Sequence, residues 1–103
     1  MALQGTKGID EKMRQAVIAM SEATRLRILL LLGQRGALCV GDIAAQFSIS
    51  RPAVSHHLKI MKDHDLVVSL REGQEIYYRL NKAYISNILR TWAEVLETCC
   101  PEK

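Results

Sequence analysis

Long apolar runs are missing from this 103-residue chain: the longest, Ile28 to Leu32, falls far short of the ~20 residues that span a bilayer. No membrane anchor is expected. The opening "MALQGTKGIDEK" lacks the apolar middle of a signal peptide, so the chain is expected to stay in the cytoplasm. Cysteine is scarce too. Three thiols, an odd number in a chain without export, argue against a disulfide framework and for reduced side chains. Also absent are a Cys-x-x-Cys redox pair, a Gly-x-Gly-x-x-Gly phosphate cradle and any visible nucleophile with its base. These absences argue against an enzyme. The length fits one small domain, and 49% hydrophobic with 24% charged residues describes an ordinary globular protein. No repeat, low-complexity tract or linker divides it.

The most informative absence is of acid. In "SRPAVSHHLKIMKDHDLV", Ser50 to Val67, a helix-like segment carries Arg51, Ser55, His56, Lys59 and Lys62, with no carboxylate before Asp63. A solvated helix ordinarily mixes its signs. The formal net charge of the whole chain is +3, and this one segment holds three cations and no anion up to Lys62. The excess charge is local, which suits a polyanionic partner.

The surrounding periodicity supplies the architecture. Met13, Ala16, Val17 and Met20 share one helical face, so residues 10–20 read as an amphipathic helix. Ser21 then offers an N-cap to "EATRLRILLLL", a helix apolar nearly all round beyond Arg27 that should end at Gly33 and lie at the centre. The stretch "GQRGALCV" predicts a turn with room for a short strand. A third helix over 41–47 should face Ile43, Ala44 and Phe47 inward. Ser50 caps the next helix, Pro52 suits its first turn, and Val54, Leu58 and Met61 form its buried stripe up to about His64. From Val67 the period becomes two. Val68 and Leu70 alternate with Ser69 and Arg71, and Ile76, Tyr78 and Leu80 with Tyr77 and Arg79, which predicts a hairpin over 67–80. Ile85, Ile88, Leu89, Trp92, Leu96 and Cys99 then mark a long terminal helix over 82–100.

Two short helices joined by about three residues, the second basic outside, make a helix-turn-helix over 41–64, and the hairpin after it makes a wing. The fold class is therefore mainly α with a small β-hairpin wing, in a single domain over 1–103. Donors on the outer face can meet phosphates and base edges of duplex DNA, where an acid would be repelled. The candidate DNA-binding residues are Ser50, Arg51, Ser55, His56, Lys59 and Lys62, with Arg71 and Gln74 near the wing tip. Arg51, at the helix start, suits bidentate reading of guanine, and Lys62 a phosphate. A solvated basic face and a polar hairpin turn are the bland alternatives. A terminal stripe holding Trp92 and several aliphatic residues needs cover, and a second copy gives it: Met13, Val17, Ile85, Ile88, Leu89, Trp92 and Leu96 are the candidate dimer contacts.

The stretches "SEATRLRILLLL", "ALCVGDIAAQFSISRPAVSHHLKIMKDHDLV" and "REGQEIYYRLN" resemble the arsenic-repressor (ArsR/SmtB) family of bacterial winged helix-turn-helix regulators, over about Ser21 to Asn81. The resemblance implies a homodimer that represses transcription at a palindromic operator and lets go when an effector binds. It also implies that the helix of Arg51, Ser55 and His56 reads DNA. Glu22-Ala23 stands where the family often has Asp-Pro.

Cys39, Cys99 and Cys100 are the only soft ligands, so arsenite, antimonite or another thiophilic metal is the candidate effector, with no cofactor otherwise required. Cys39 matches the first cysteine of the family's "E-L-C-V-C-D-L" motif, but Gly41 replaces the second and Ala37 the glutamate. Cys100-Pro101 resembles the ending of persulfide-sensing members, whose partner cysteine lies in the second helix, where this chain has leucines. The Asp and His of zinc-sensing members are missing from Lys82 to Thr98. A thiol-redox or persulfide-responsive repressor is the alternative, as is a winged-helix protein-interaction module without an effector.

Overall fold

A computed structural model describes residues 9–99. Asp10 caps the first helix, α1 (Glu11–Ser21), by accepting a 2.8 Å hydrogen bond from the Met13 backbone N–H. Arg14 and Gln15 both donate to Glu11 in the same turn and hold its carboxyl down at about 2. The cap of α2 (Ala23–Arg35) differs from expectation. Glu22, not Ser21, accepts from the Arg25 N–H, while Ser21 still belongs to α1 and donates its hydroxyl to the Val17 carbonyl. Nor does α2 stop at Gly33. It runs on to Gly36, whose φ of 84° is open to glycine at no steric cost and whose N–H closes on the Leu32 carbonyl. A glycine within a helix only weakens it; a left-handed residue ends it.

The short strand β1 (Leu38–Cys39) leads into α3 (Val40–Phe47), which ends at left-handed Ser48. After Ile49 comes α4 (Arg51–Asp63), then β2 (Val67–Glu72), β3 (Glu75–Leu80) and α5 (Lys82–Cys99). Gly73, at φ 64°, turns the hairpin. The sheet has three antiparallel strands in the order β1-β3-β2, with Leu38 opposite Tyr78 and Ser69 opposite Tyr78 from the other side. That register puts Val67, not Val68 or Leu70, on the face shared with Tyr78 and Leu80; Val67 is buried and Leu70 is exposed.

One core unites these elements. Ile28 of α2, Ile43 of α3, Val54, Leu58 and Met61 of α4, Leu66, Val67 and Ile88 of α5 are all fully buried. Asn81 fastens the end of α4 to the start of α5: its side chain donates to the Asp65 carbonyl, its backbone N–H to that of Leu66, and its own carbonyl oxygen Oδ1 accepts from the Tyr84 N–H. Lys12 of α1 reaches the same corner, 3.0 Å from the Asp65 carboxylate. No helix among the described residues is long and apolar enough to cross a membrane.

The α2 helix, expected at the centre, is not enclosed on every side within one protomer. Ile28, Leu29, Leu31 and Leu32 enter the core, but Leu26 is 41% and Leu30 58% exposed, because no further layer lies over that side of a protomer. Leu89 of α5 lines the same apolar hollow as Leu26 and Leu30, and α5 leaves Leu89, Trp92 and Leu96 at 54%, 46% and 54% exposure. Two residues assigned to a dimer contact belong elsewhere: Met13 and Ile88 are consumed by the protomer's own core. Val17 and Ile85 are half-buried against that core.

Candidate nucleic-acid interface

The recognition segment is built from both ends of α4. Ser50 accepts a hydrogen bond from the Ala53 N–H at 3.2 Å, and Pro52 fills the first turn, where its missing N–H leaves no broken ladder. Val54, Leu58 and Met61, each 0% exposed, pin the inner stripe. Arg51, Ser55, Lys59 and Lys62, spaced four, four and three residues apart, then stand exposed on the outer side, with exposed His56 beside them. The first anion on that side, Asp63, takes Lys59 at 3.3 Å, an exposed pair that leaves both ends free to exchange with solvent. Arg51 makes no hydrogen bond or ion pair among the described residues. Its five donors are available to a ligand.

The α3–α4 connection of Ser48, Ile49 and Ser50 brings the α3 N-terminal turn against the start of α4. There the Arg51 guanidinium lies over Gly41. At the wing, Arg71 and Gln74 are exposed, as expected for groups that reach outward. They do not stand alone. Glu72 and Glu75 face each other across the tip, so two carboxylates stand beside Arg71 there, with Arg79 farther down β3. Sequence reading singled out Arg71 and passed over these acids.

Behind the outer face lies a contact no periodicity reveals. His57 is turned inward, its side chain 18% exposed, with Nδ1 3.2 Å from Nη1 of Arg25 and 3.9 Å from the Glu22 carboxylate. Arginine only donates, so His57 Nδ1 accepts and the ring is neutral with its proton on Nε2. Burial holds the imidazole below its ordinary range, against the raising pull of Glu22. The Arg25 Nε donates to the Ala19 carbonyl at 2.8 Å. One side chain of α2 thus ties the end of α1 to α4. The partners are 32 residues apart in sequence, and no local signal joins them.

Of the three cysteines, Cys39 alone has its side chain among the described residues. Cys39 is half-buried in β1, with its thiol donating to the Asp42 carboxylate at 3.3 Å. One thiol and one carboxylate do not make a thiolate site. Among the described residues no group of three or more His, Cys, Asp or Glu is placed to hold a metal ion. Cys100 and the side chain of Cys99 lie outside the described residues.

Comparison with known proteins now places this geometry. The family profile described as bacterial regulatory protein, arsR family, matches residues 22–69, from the cap of α2 into the wing. The chain is 45% identical over 69 residues to the transcriptional repressor SdpR of Bacillus subtilis, covering 67% of this chain and 76% of that protein. It is 34% identical to an arsenical resistance operon repressor of the same organism, over 86% of this chain and 80% of that one. Among solved structures it resembles the homodimeric winged helix-turn-helix DNA-binding domain of a Mycobacterium bovis protein, with TM-score 0.70 and 26% identity over 90% of this chain and 86% of that one. With its helix-turn-helix and wing, the profile match from α2 into the first wing strand, and relatives at 45% and 34% identity matched over three quarters or more of their length, the chain belongs to the arsR family of bacterial regulatory proteins.

Proposed function

We propose that the chain is a homodimeric transcriptional repressor that docks α4 of each subunit in the major groove of duplex DNA. The observation that carries this reading is the outer side of α4: Arg51, Ser55, His56, Lys59 and Lys62 stand exposed while Val54, Leu58 and Met61 fix the helix from within. Arg51 reads base edges, Lys59 and Lys62 meet phosphates, Ser50, Ser55 and His56 add polar contacts, and Arg71 with Gln74 touch the neighbouring backbone. The exposed Leu89, Trp92 and Leu96 supply the subunit contact, and the homodimeric relative supports that arrangement. A two-fold pair would place its recognition helices about one turn of DNA apart.

The test is residue by residue. Arg51→Ala is expected to relax sequence preference, at roughly 1–3 kcal/mol per lost bidentate contact, whereas Lys62→Ala weakens binding to all duplexes alike. Equal preference in Arg51→Ala and wild type would remove Arg51 from the reading role.

For release, adjacent Cys99 and Cys100 supply a thiol pair, with Cys39 a third, and thiolates select thiophilic centres such as trivalent arsenic. Relatives named as arsenical resistance operon repressors support this effector class. Arsenite is expected to free the wild type from DNA and to leave a Cys99→Ser/Cys100→Ser variant bound. Release of both proteins at the same arsenite concentration would remove the pair from the mechanism.

A further inference from the structure

Gly41 has no backbone reason to be glycine. It lies in the first turn of α3, and its φ is not positive, unlike those of Gly36 and Gly73. A helical position of this kind favours alanine, which loses less conformational freedom on folding. Nor does the core require a bare Cα there. The three nearest atoms to a Cβ built at Gly41 all belong to one exposed group, the Arg51 guanidinium: Nη2 at 3.3 Å, Cζ at 3.4 Å and Nη1 at 3.6 Å. What the missing side chain makes room for is Arg51.

The root of Arg51 is fixed. Its backbone follows the Ser50 cap and precedes Pro52, so the Cα is held where α4 begins. A side chain rooted at a capped helix start, with its tip resting against a bare stretch of the neighbouring helix, has fewer rotamers to lose on meeting DNA than one in open solvent. No hydrogen bond is consumed by this seat, so the donors stay available.

We propose that Gly41 is a positioning residue for DNA reading, which seats the Arg51 guanidinium at the front of the helix-turn-helix. The inference rests on the reading of Arg51 given above. A side chain at residue 41 leaves both helices intact but crowds the seat, so the Arg51 guanidinium must leave it for another rotamer.

The test uses the full chain and a duplex selected by the wild type from a randomised pool. Wild type, Gly41→Ala, Arg51→Ala and the double variant are compared by Kd, by renewed selection from the pool, and by melting temperature. Gly41→Ala is expected to melt at or above the wild type yet bind the selected duplex roughly three- to tenfold more weakly, part of the loss that a bidentate contact carries. Preference should relax at the base pair that Arg51→Ala also loses. In the Arg51→Ala background, Gly41→Ala should change nothing further. Unchanged or tighter binding by Gly41→Ala overturns the proposal, as does a loss of equal size in the Arg51→Ala background. If Arg51→Ala itself binds and selects like the wild type, the reading of Arg51 fails; if it loses affinity and Gly41→Ala does not, only the seat fails.

Discussion

Replacing Trp92 by alanine tests what the last helix is for. An indole side chain covers about 150–250 Å² when it is fully enclosed. Trp92 remains 46% exposed in one protomer, so roughly 100 Å² of ring stands open on α5 between Leu89 and Leu96. Covered by a second subunit, that surface is worth about 2 kcal/mol at ~25 cal/mol per Å², after allowance for the methyl group that alanine keeps. A two-fold contact counts it twice, giving about 4 kcal/mol, or roughly a thousandfold weaker dimerisation. Sedimentation equilibrium over a concentration series reads this directly, with far-UV circular dichroism to show that the protomer still folds. Leu70→Ala is the control, because Leu70 is 56% exposed but sits on the wing. A dimerisation constant for Trp92→Ala within a few-fold of wild type, in a folded protein, would refute the assignment of α5 to the subunit contact.

Other outcomes follow from the same geometry. Leu58 is fully buried beneath the recognition helix, so Leu58→Ala is expected to cost about 3 kcal/mol in urea unfolding; a loss below ~1 kcal/mol would mean that α4 is not held by this stripe. His57, pressed by burial and by Arg25 and His56 against the opposing pull of Glu22, has a folded pKa below its ordinary 6.5. The unfolded chain therefore binds the proton first, and stability present above pH ~6.5 declines as the pH falls through that value toward the folded one. His57→Gln should flatten that acid limb in melting temperatures, and an unchanged limb would point to another group. Lys12 and Asp65 pair in the open, at 63% and 55% side-chain exposure, so Lys12→Ala should leave the urea midpoint close to that of the wild type, and a large drop would show that the pair is not merely a surface contact.

The legible part of the molecule is the part written in local signals. The α4 cap, its proline and its inner stripe stand next to each other in sequence, so the recognition helix could be read almost to the residue. The α2 start could not, because Ser21 and Glu22 are both competent caps and only the α1 geometry, which engages the Ser21 hydroxyl with Val17, decides between them. The α2 stop was misread for a related reason: Gly33 and Gly36 look alike in sequence, and the left-handed φ of Gly36 alone marks the end. The Val68 and Leu70 alternation points to the wrong face of β2, since register is set by the turn at Gly73 and by pairing with β3. Met13 and Ile88 were assigned to a partner because an apolar stripe does not say how much of itself the domain can use. The Arg25–His57 bridge and the Gly41 seat join residues whose proximity only the tertiary fold creates.

The central claim is that the basic exterior of α4 from Arg51 to Lys62 lies against duplex DNA, and the salt dependence of binding tests it most directly. With Lys59, Lys62 and Arg71 of two subunits at phosphates, log affinity should fall against log salt with a slope near −5, roughly a thousandfold loss between 50 and 200 mM. A slope reduced to about −2 in a Lys59→Ala/Lys62→Ala variant, where only the two Arg71 contacts remain, would complete the result. A slope shallower than about −1, with no duplex preferred over another, would contradict the account and leave a winged helix that meets proteins instead.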